Sequence, residues 1–211
     1  MKVPIARDGY KSIGFLTAVS LLFFVYSPTF SVIPFSLLLL TTYSFRDPNR
    51  KIVSTGHDVL SPADGTVMEI RGVNEPLLPG SSVNRVSIFL SPFNVHINRS
   101  PMYGKVTYVQ HKKGKFFPAF MSKSDMNEKN LIKIENSNVQ VLMTQMAGII
   151  CRRVVCTVKE GDYVESGQRI GMIKFGSRVD IYLPKNVEIL IGKWDRVKAG
   201  KTVLGRIKCA S

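Results

Sequence analysis

Apolar and polar positions follow two different rules along this chain. Between Lys11 and Arg46 there are 34 residues, Ser12 to Phe45, without a single charge. Beyond Ile52 the apolar residues come instead in short runs broken by turn signals. The first stretch is too long for a secretory h-region of roughly 7–15 residues, and it lacks a small-x-small cleavage site. Pro28, after Ser27, divides it into Ile13–Tyr26 and Thr29–Tyr43, and Pro34 weakens the second half. Each half is short for a crossing of roughly 20 residues. Lys2, Arg7 and Lys11 precede the stretch, and Arg46, Arg50 and Lys51 follow it. Positive flanks on both sides favour keeping both ends in the cytoplasm, which predicts a shallow helical hairpin over a single tilted span. No polar stripe breaks the run, which argues against a buried helix of a soluble domain.

The remainder reads as strands. Val67–Ile70, Ser82–Phe89, Lys105–Gln110, Val139–Thr144, Ile149–Val158, Arg169–Ile173 and Arg178–Leu183 are β-rich. Turn signals such as Ala63-Asp64-Gly65 and Asn136-Ser137-Asn138 separate them. Val179, Ile181 and Leu183 alternate with Arg178, Asp180 and Tyr182, the period of a half-buried strand. Only Ser122–Ile134 offers room for a helical turn. The segment from Val158 to Ile170 resembles the turn of biotinyl/lipoyl-type barrel-sandwich domains. There, Gly161 and Gly167 permit positive φ at two corners, and Val158, Val164 and Ile170 recur on an inner face. The expected fold is mainly β: a membrane-anchoring hairpin, 1–51, and a barrel-sandwich-hybrid-like domain, 52–211.

Charge narrows the partners. Lys and Arg number 29 against 15 Asp and Glu, and residues 52–211 hold 23 basic and 13 acidic side chains. A basic domain beside a bilayer suits anionic lipid headgroups or nucleic acid. Lys112, Lys113, Lys115, Phe116 and Phe117 form the only basic cluster with aromatics, so the lipid surface is favoured and no nucleic acid is expected. Cys151, Cys156 and Cys209 fit neither a disulfide scaffold nor zinc-ligand spacing, which suits a reducing compartment and no metal site.

Candidate chemistry is sparse. Asp64 sits in an Asp-Gly turn, where a structural role is the ordinary one. Asn94, His96 and Asn98 share one face of a segment bracketed by Pro92 and Pro101, which suits a site wall or a solvated strand equally. His57 lies in an exposed-looking turn. His111 precedes two lysines, whose charge favours a neutral imidazole. Gly176-Ser177 lacks the Gly-x-Ser-x-Gly elbow of a serine hydrolase. Residue types alone give a membrane-tethered, basic, β-rich domain with an Asp, His and Ser set.

Taken together, four motifs resemble the phosphatidylserine decarboxylase proenzymes of the short prokaryotic type. They are Ser61-Pro62-Ala63-Asp64-Gly65, Ser91-Pro92-Phe93-Asn94-Val95-His96-Ile97-Asn98-Arg99, Gly114-Lys115-Phe116 and Phe175-Gly176-Ser177-Arg178-Val179-Asp180. Phe45-Arg46-Asp47-Pro48 also looks like that family. The resemblance implies autocatalytic cleavage at Gly176–Ser177, giving chains 1–176 and 177–211 that stay together as a heterodimer. Ser177 would attack the Gly176 carbonyl and, after ester elimination, become a pyruvoyl cofactor. That group would form a Schiff base with the amine of phosphatidylserine and release carbon dioxide and phosphatidylethanolamine. Asp64 and a histidine would supply the base for cleavage, and His96 the proton that quenches the carbanion. Longer members carry a second histidine where this chain has Arg99, which cannot act as a base at neutral pH. His96 would therefore do both jobs, or His111 would cover one. The resemblance also places the enzyme at the cell membrane, catalytic domain on the cytoplasmic side.

Other classes make different demands. A non-enzymatic membrane-anchored lipoyl-like adaptor expects long helical hairpins with heptads, and none is present. A lipoyl or biotinyl carrier wants a modified lysine at a hairpin tip; Lys174 is the only nearby choice, in the wrong surroundings. A Ser/His membrane peptidase would keep Ser177 as serine. A soluble pyruvoyl decarboxylase of free amino acids would not need the leader.

Overall fold

The computed structural model describes residues 5–78, 82–149, 154–173 and 177–208. The chain divides into two compact units, 1–49 and 50–211.

In the first unit a 3-10 turn, Arg7–Gly9, leads into α1 (Tyr10–Tyr26), and α2 (Pro28–Ser44) follows. Ser27 between them is extended, and Pro28 occupies the first turn of α2, where its missing N–H costs nothing. The Ala6 N–H donates to the Phe45 carbonyl at 2.9 Å, and Ile5 bridges to Arg46 antiparallel. These contacts close the hairpin that the prolines and flanking charges predict. Gly9 makes the closure possible, because a Cβ there would lie 2.6 Å from the Phe45 ring. Pro34 sits inside α2 without ending it. The hydroxyls of Thr17, Ser20, Ser36 and Thr42 each donate to a carbonyl one turn back, so these polar groups are satisfied within their own helices. Arg7–Tyr26 is long and apolar enough to cross a bilayer; Pro28–Ser44, at 17 residues, is shorter.

The second unit is mainly β, as the sequence predicts. Its strands are β1 (Asp58–Leu60), β2 (Gly65–Asn74), β3 (Ser82–Leu90), β4 (Ile97–Arg99), β5 (Gly104–Lys112), β6 (Lys129–Glu135) and β7 (Gln140–Met146). They continue as β8 (Val154–Cys156), β9 (Tyr163–Val164), β10 (Arg169–Ile173), β11 (Ser177–Leu183), β12 (Val187–Ile189), β13 (Arg196–Val197) and β14 (Val203–Ile207). One curled sheet of eight runs β13-β2-β3-β11-β7-β6-β5-β9, and two sheets of three run β1-β14-β12 and β4-β10-β8. Every pairing between these strands is antiparallel. Val59 and Leu204 from one small sheet, Val154 and Ile170 from the other, and Ile88, Ile132, Val141 and Ile181 from the large one share a single core.

The two corner glycines behave as expected: Gly161 and Gly167 have φ of 95° and 74°, and Val158, Val164 and Ile170 are buried. Two expectations need correction. Ser122–Ile134 holds a 3-10 turn only over Ser122–Met126, and its second half is strand β6. Leu131, Ile132 and Ile134 pair with both β5 and β7 there, and sheet burial outweighs the weak local signal. Strand β11 is not half-buried but covered on both faces, since Arg178 and Asp180 are as inaccessible as Val179 and Ile181. Of the run Ile149–Val158, Val154–Cys156 forms a strand, and residues 150–153 lie outside the described residues.

Candidate active site around Ser177

Strand β11 lies between β3 and β7, and its register is fixed by seven pairs to β3, from Ser177 opposite Leu90 to Leu183 opposite Asn84. Alternation sends Val179, Ile181 and Leu183 into the core, and Ser177 shares their face. Ser177 is completely buried, and its Oγ has no hydrogen-bond partner among the described residues. Leaving a buried hydroxyl unpaired costs about 1–3 kcal/mol. Ser54 Oγ, Ser87 Oγ and Thr144 Oγ1 share that state, so what sets Ser177 apart is its place at the head of β11 in the Gly176-Ser177 motif. Gly176, the other half of the expected cleavage site, lies outside the described residues.

The opposite face of β11 carries the charge. Arg178 Nε and Nη2 donate to the two carboxylate oxygens of Asp180 at 2.7 and 2.6 Å. Nη1 reaches Ser124 Oγ at 2.8 Å, and Nη2 also reaches Asp125 Oδ1 at 2.7 Å. Burial alone would weaken the Arg178 charge, but the hydrogen bonds and charge of Asp180, then Asp125, outweigh it and hold the guanidinium above its ordinary value. The 3-10 turn Ser122–Met126 therefore caps the head of β11 through Arg178. Burial, then the charge of Asp180, pushes the neighbouring Tyr182 up to about 12.

His96 is 2% exposed, in the turn before β4, and its carbonyl accepts the Ile173 N–H at 3.2 Å. That bond ties it to the last residue of β10, three residues before Gly176. The segment is not a solvated strand: His96, Asn98 and Arg99 are all buried, while Phe93 is exposed. Arg99 Nη1 donates to the Gly167 carbonyl at 2.9 Å, so it braces a corner.

Asp64 accepts two bonds from Arg50, at 2.5 and 2.7 Å, and the Ala199 N–H at 2.8 Å. Its partners are thus a cation and a backbone amide, neither a histidine nor Ser177. The turn it anchors holds Pro62, whose carbonyl takes the Arg99 N–H at 2.9 Å. His111, on β5, is half exposed; its Nδ1 lies 2.6 Å from Asn130 Oδ1 and its Nε2 3.7 Å from Glu128. His57 is exposed.

Sequence reasoning missed Gln145 and Asn130. Gln145 is fully buried on the core face of β7, in phase with Val141 and Met143, and hydrogen-bonds to Asn98 at 2.8 Å. A glutamine on the apolar phase of a strand is the signal that would have found it. Arg50, a flanking charge in the sequence, holds Asp64 in the fold.

A family model described as phosphatidylserine decarboxylase matches residues 37–205 of this chain. The chain belongs to the phosphatidylserine decarboxylase family. It is 44% identical to the phosphatidylserine decarboxylase proenzyme of Carboxydothermus hydrogenoformans, across 99% of this chain and 100% of that protein. Identity is 48% to the proenzyme of Chlorobium chlorochromatii, over 80% of each chain. To that of Symbiobacterium thermophilum it is 41%, over 98% of each. These relatives make it a member of a carboxy-lyase family.

Proposed function

We propose that this chain is the precursor of a pyruvoyl-dependent enzyme that decarboxylates phosphatidylserine to phosphatidylethanolamine. The observation that carries the reading is the Ser177 hydroxyl, buried and unpartnered at the head of a central strand in a member of this family. A hydroxyl with no competing hydrogen bond is free to serve as a nucleophile.

In the precursor, Ser177 Oγ adds to the Gly176 carbonyl, and the C–N bond to the Ser177 nitrogen breaks to leave an ester. A base removes the Ser177 α-proton, the carboxylate of Gly176 departs, and the dehydroalanine left behind takes up water and loses ammonia. Chains 1–176 and 177–211 result, joined as a heterodimer because β11 stays paired between β3 and β7. His96, buried and bound to the end of β10, is the proton-transfer group of this reading. Asp64 is its third member: held by Arg50 and Ala199, it fixes the turn carrying Pro62, and a base role would require it to leave Arg50.

Ser177 fits the expected group, since its buried position shields a reactive ketone from water. The pyruvoyl group supplies an electron sink for the bond that releases carbon dioxide. His96 holds the proton delivered to the substrate α-carbon. The hairpin, flanked by Arg7, Lys11 and Arg46, keeps the enzyme at an anionic membrane surface with both ends cytoplasmic. Acyl chains then stay in the bilayer while the headgroup is processed.

Denaturing intact-mass measurement tests the reading. Wild type should give two chains, the shorter with a blocked N-terminus that reacts with hydrazine. Ser177→Ala should give one full-length chain that releases no carbon dioxide from phosphatidylserine vesicles. An uncleaved, fully active Ser177→Ala protein overturns it.

A further inference from the structure

A file of polar side chains crosses the apolar interior of the second unit. His111 Nδ1 lies 2.6 Å from Asn130 Oδ1; Asn130 Nδ2 donates to Gln145 Oε1 at 3.4 Å; Gln145 Nε2 donates to Asn98 Oδ1 at 2.8 Å; and Asn98 Nδ2 reaches the Pro62 carbonyl at 3.5 Å. Asn130, Gln145 and Asn98 are at most 3% exposed, whereas His111 opens to solvent. Room for the file is built in, because a Cβ on Gly171 would lie 2.8 Å from Gln145 Nε2. Buried carboxamides are costly unless paired, and these are paired to one another.

The direction of the file is fixed at its inner end. A carbonyl oxygen only accepts, so Asn98 must turn its Nδ2 toward Pro62 and its Oδ1 toward Gln145. Gln145 then offers Oε1 to Asn130, and Asn130 offers Oδ1 to His111, which must donate from Nδ1. Any one carboxamide turned over sets acceptor against acceptor along the rest.

The file also runs past the strands where the chemistry is expected. Gln145 is paired opposite Val179 on β11, on the face shared with Ser177, and Asn98 is paired opposite Gly171 on β10. The Gln145–Asn98 bond thus joins the neighbours of the two strands that the peptide 174–176 connects.

We propose that His111 is a positioning residue for the conversion at Ser177, acting through Asn130, Gln145 and Asn98, and does not itself transfer a proton. The proposal rests on the self-cleavage reading above. His111 supplies the donor at Nδ1 that satisfies Asn130 Oδ1 at the outer end, in the orientation the Pro62 carbonyl sets, and so holds the three carboxamides and with them the spacing of β10 and β11 at the scissile link. Asparagine at 111 would replace that donor; phenylalanine would not.

Full-length precursor made by cell-free translation with phosphatidylglycerol vesicles, and followed by denaturing gel and mass, supplies the test. His111→Asn should cleave within about threefold of the wild-type rate with an unchanged pH profile. His111→Phe should be at least fivefold slower, and Asn130→Asp, equal in size but unable to donate, at least tenfold slower. Thermal melting of the Ser177→Ala background carrying each change separates slow cleavage from failure to fold, and His111→Phe, at a half-exposed site, keeps the test open if Asn130→Asp unfolds. His111→Asn as slow as His111→Phe, or a lost limb in its pH profile, overturns the proposal in favour of proton transfer by His111. His111→Phe within twofold of wild type overturns it outright. Wild type that never cleaves overturns the parent reading instead.

Discussion

Arg50 holds both carboxylate oxygens of Asp64 while its Nη1 also donates to the Ala199 carbonyl at 2.6 Å, so one buried ion pair joins three distant segments of the second unit. Both side chains are at most 10% exposed.

Removing one partner from such a pair strands a buried charge. Asp64→Ala should lose about 3–5 kcal/mol in urea unfolding, whereas the apolar double change Arg50→Met/Asp64→Leu should lose much less. Asp64→Asn adds a functional readout. If it folds and still cleaves at Gly176–Ser177, Asp64 positions; if it folds and does not, the carboxylate is the base.

The fork of Arg178 serves Asp180, Asp125 and Ser124 at once. Lysine offers a point charge without that geometry. Arg178→Lys should therefore lose about 2–3 kcal/mol of stability and slow cleavage, read by thermal melting and by the fraction of uncleaved chain.

Gly171 pairs between β4 and β8, and a Cβ there would collide with the Val155 carbonyl as well as crowd Gln145. Gly171→Ala should leave mostly insoluble or uncleaved protein. Gly72, with open space around its Cβ position, is the control: Gly72→Ala should behave as wild type in both assays.

Tyr182 gains its proton affinity from burial and from Asp180. Because its folded value lies above the unfolded value of about 10, stability is intact below pH 10 and falls as pH rises toward 12. Tyr182→Phe should flatten that alkaline fall in chemical denaturation.

Every candidate site residue lies within 50–211. A chain beginning at Arg50 should cleave at Ser177, yet lose activity on vesicles far more than on a short-chain, soluble phosphatidylserine. Equal losses on both substrates would show that the hairpin serves more than attachment.

The sequence by itself determined what local chemistry determines. Ser27-Pro28 splits an uncharged run into two helices, Gly161 and Gly167 turn two corners, and the alternation at Val179, Ile181 and Leu183 marks one face of β11. Ser177 and His96 were legible through motifs. Three things were decided only in the folded chain. Lys129–Glu135 became a strand because β5 and β7 flank it; Arg178 and Asp180 went inside because Ser124 and Asp125 met them; and His111 was joined to Asn98 through Asn130 and Gln145. The β5 partners of Lys129–Glu135 lie 17 to 30 positions away and the Asn130–Gln145 and Arg178–Ser124 bonds span 15 and 54, separations that carry no local periodicity. Backbone preference and turn chemistry act over a few residues, whereas the pairing of buried polar groups is settled only when distant strands come together.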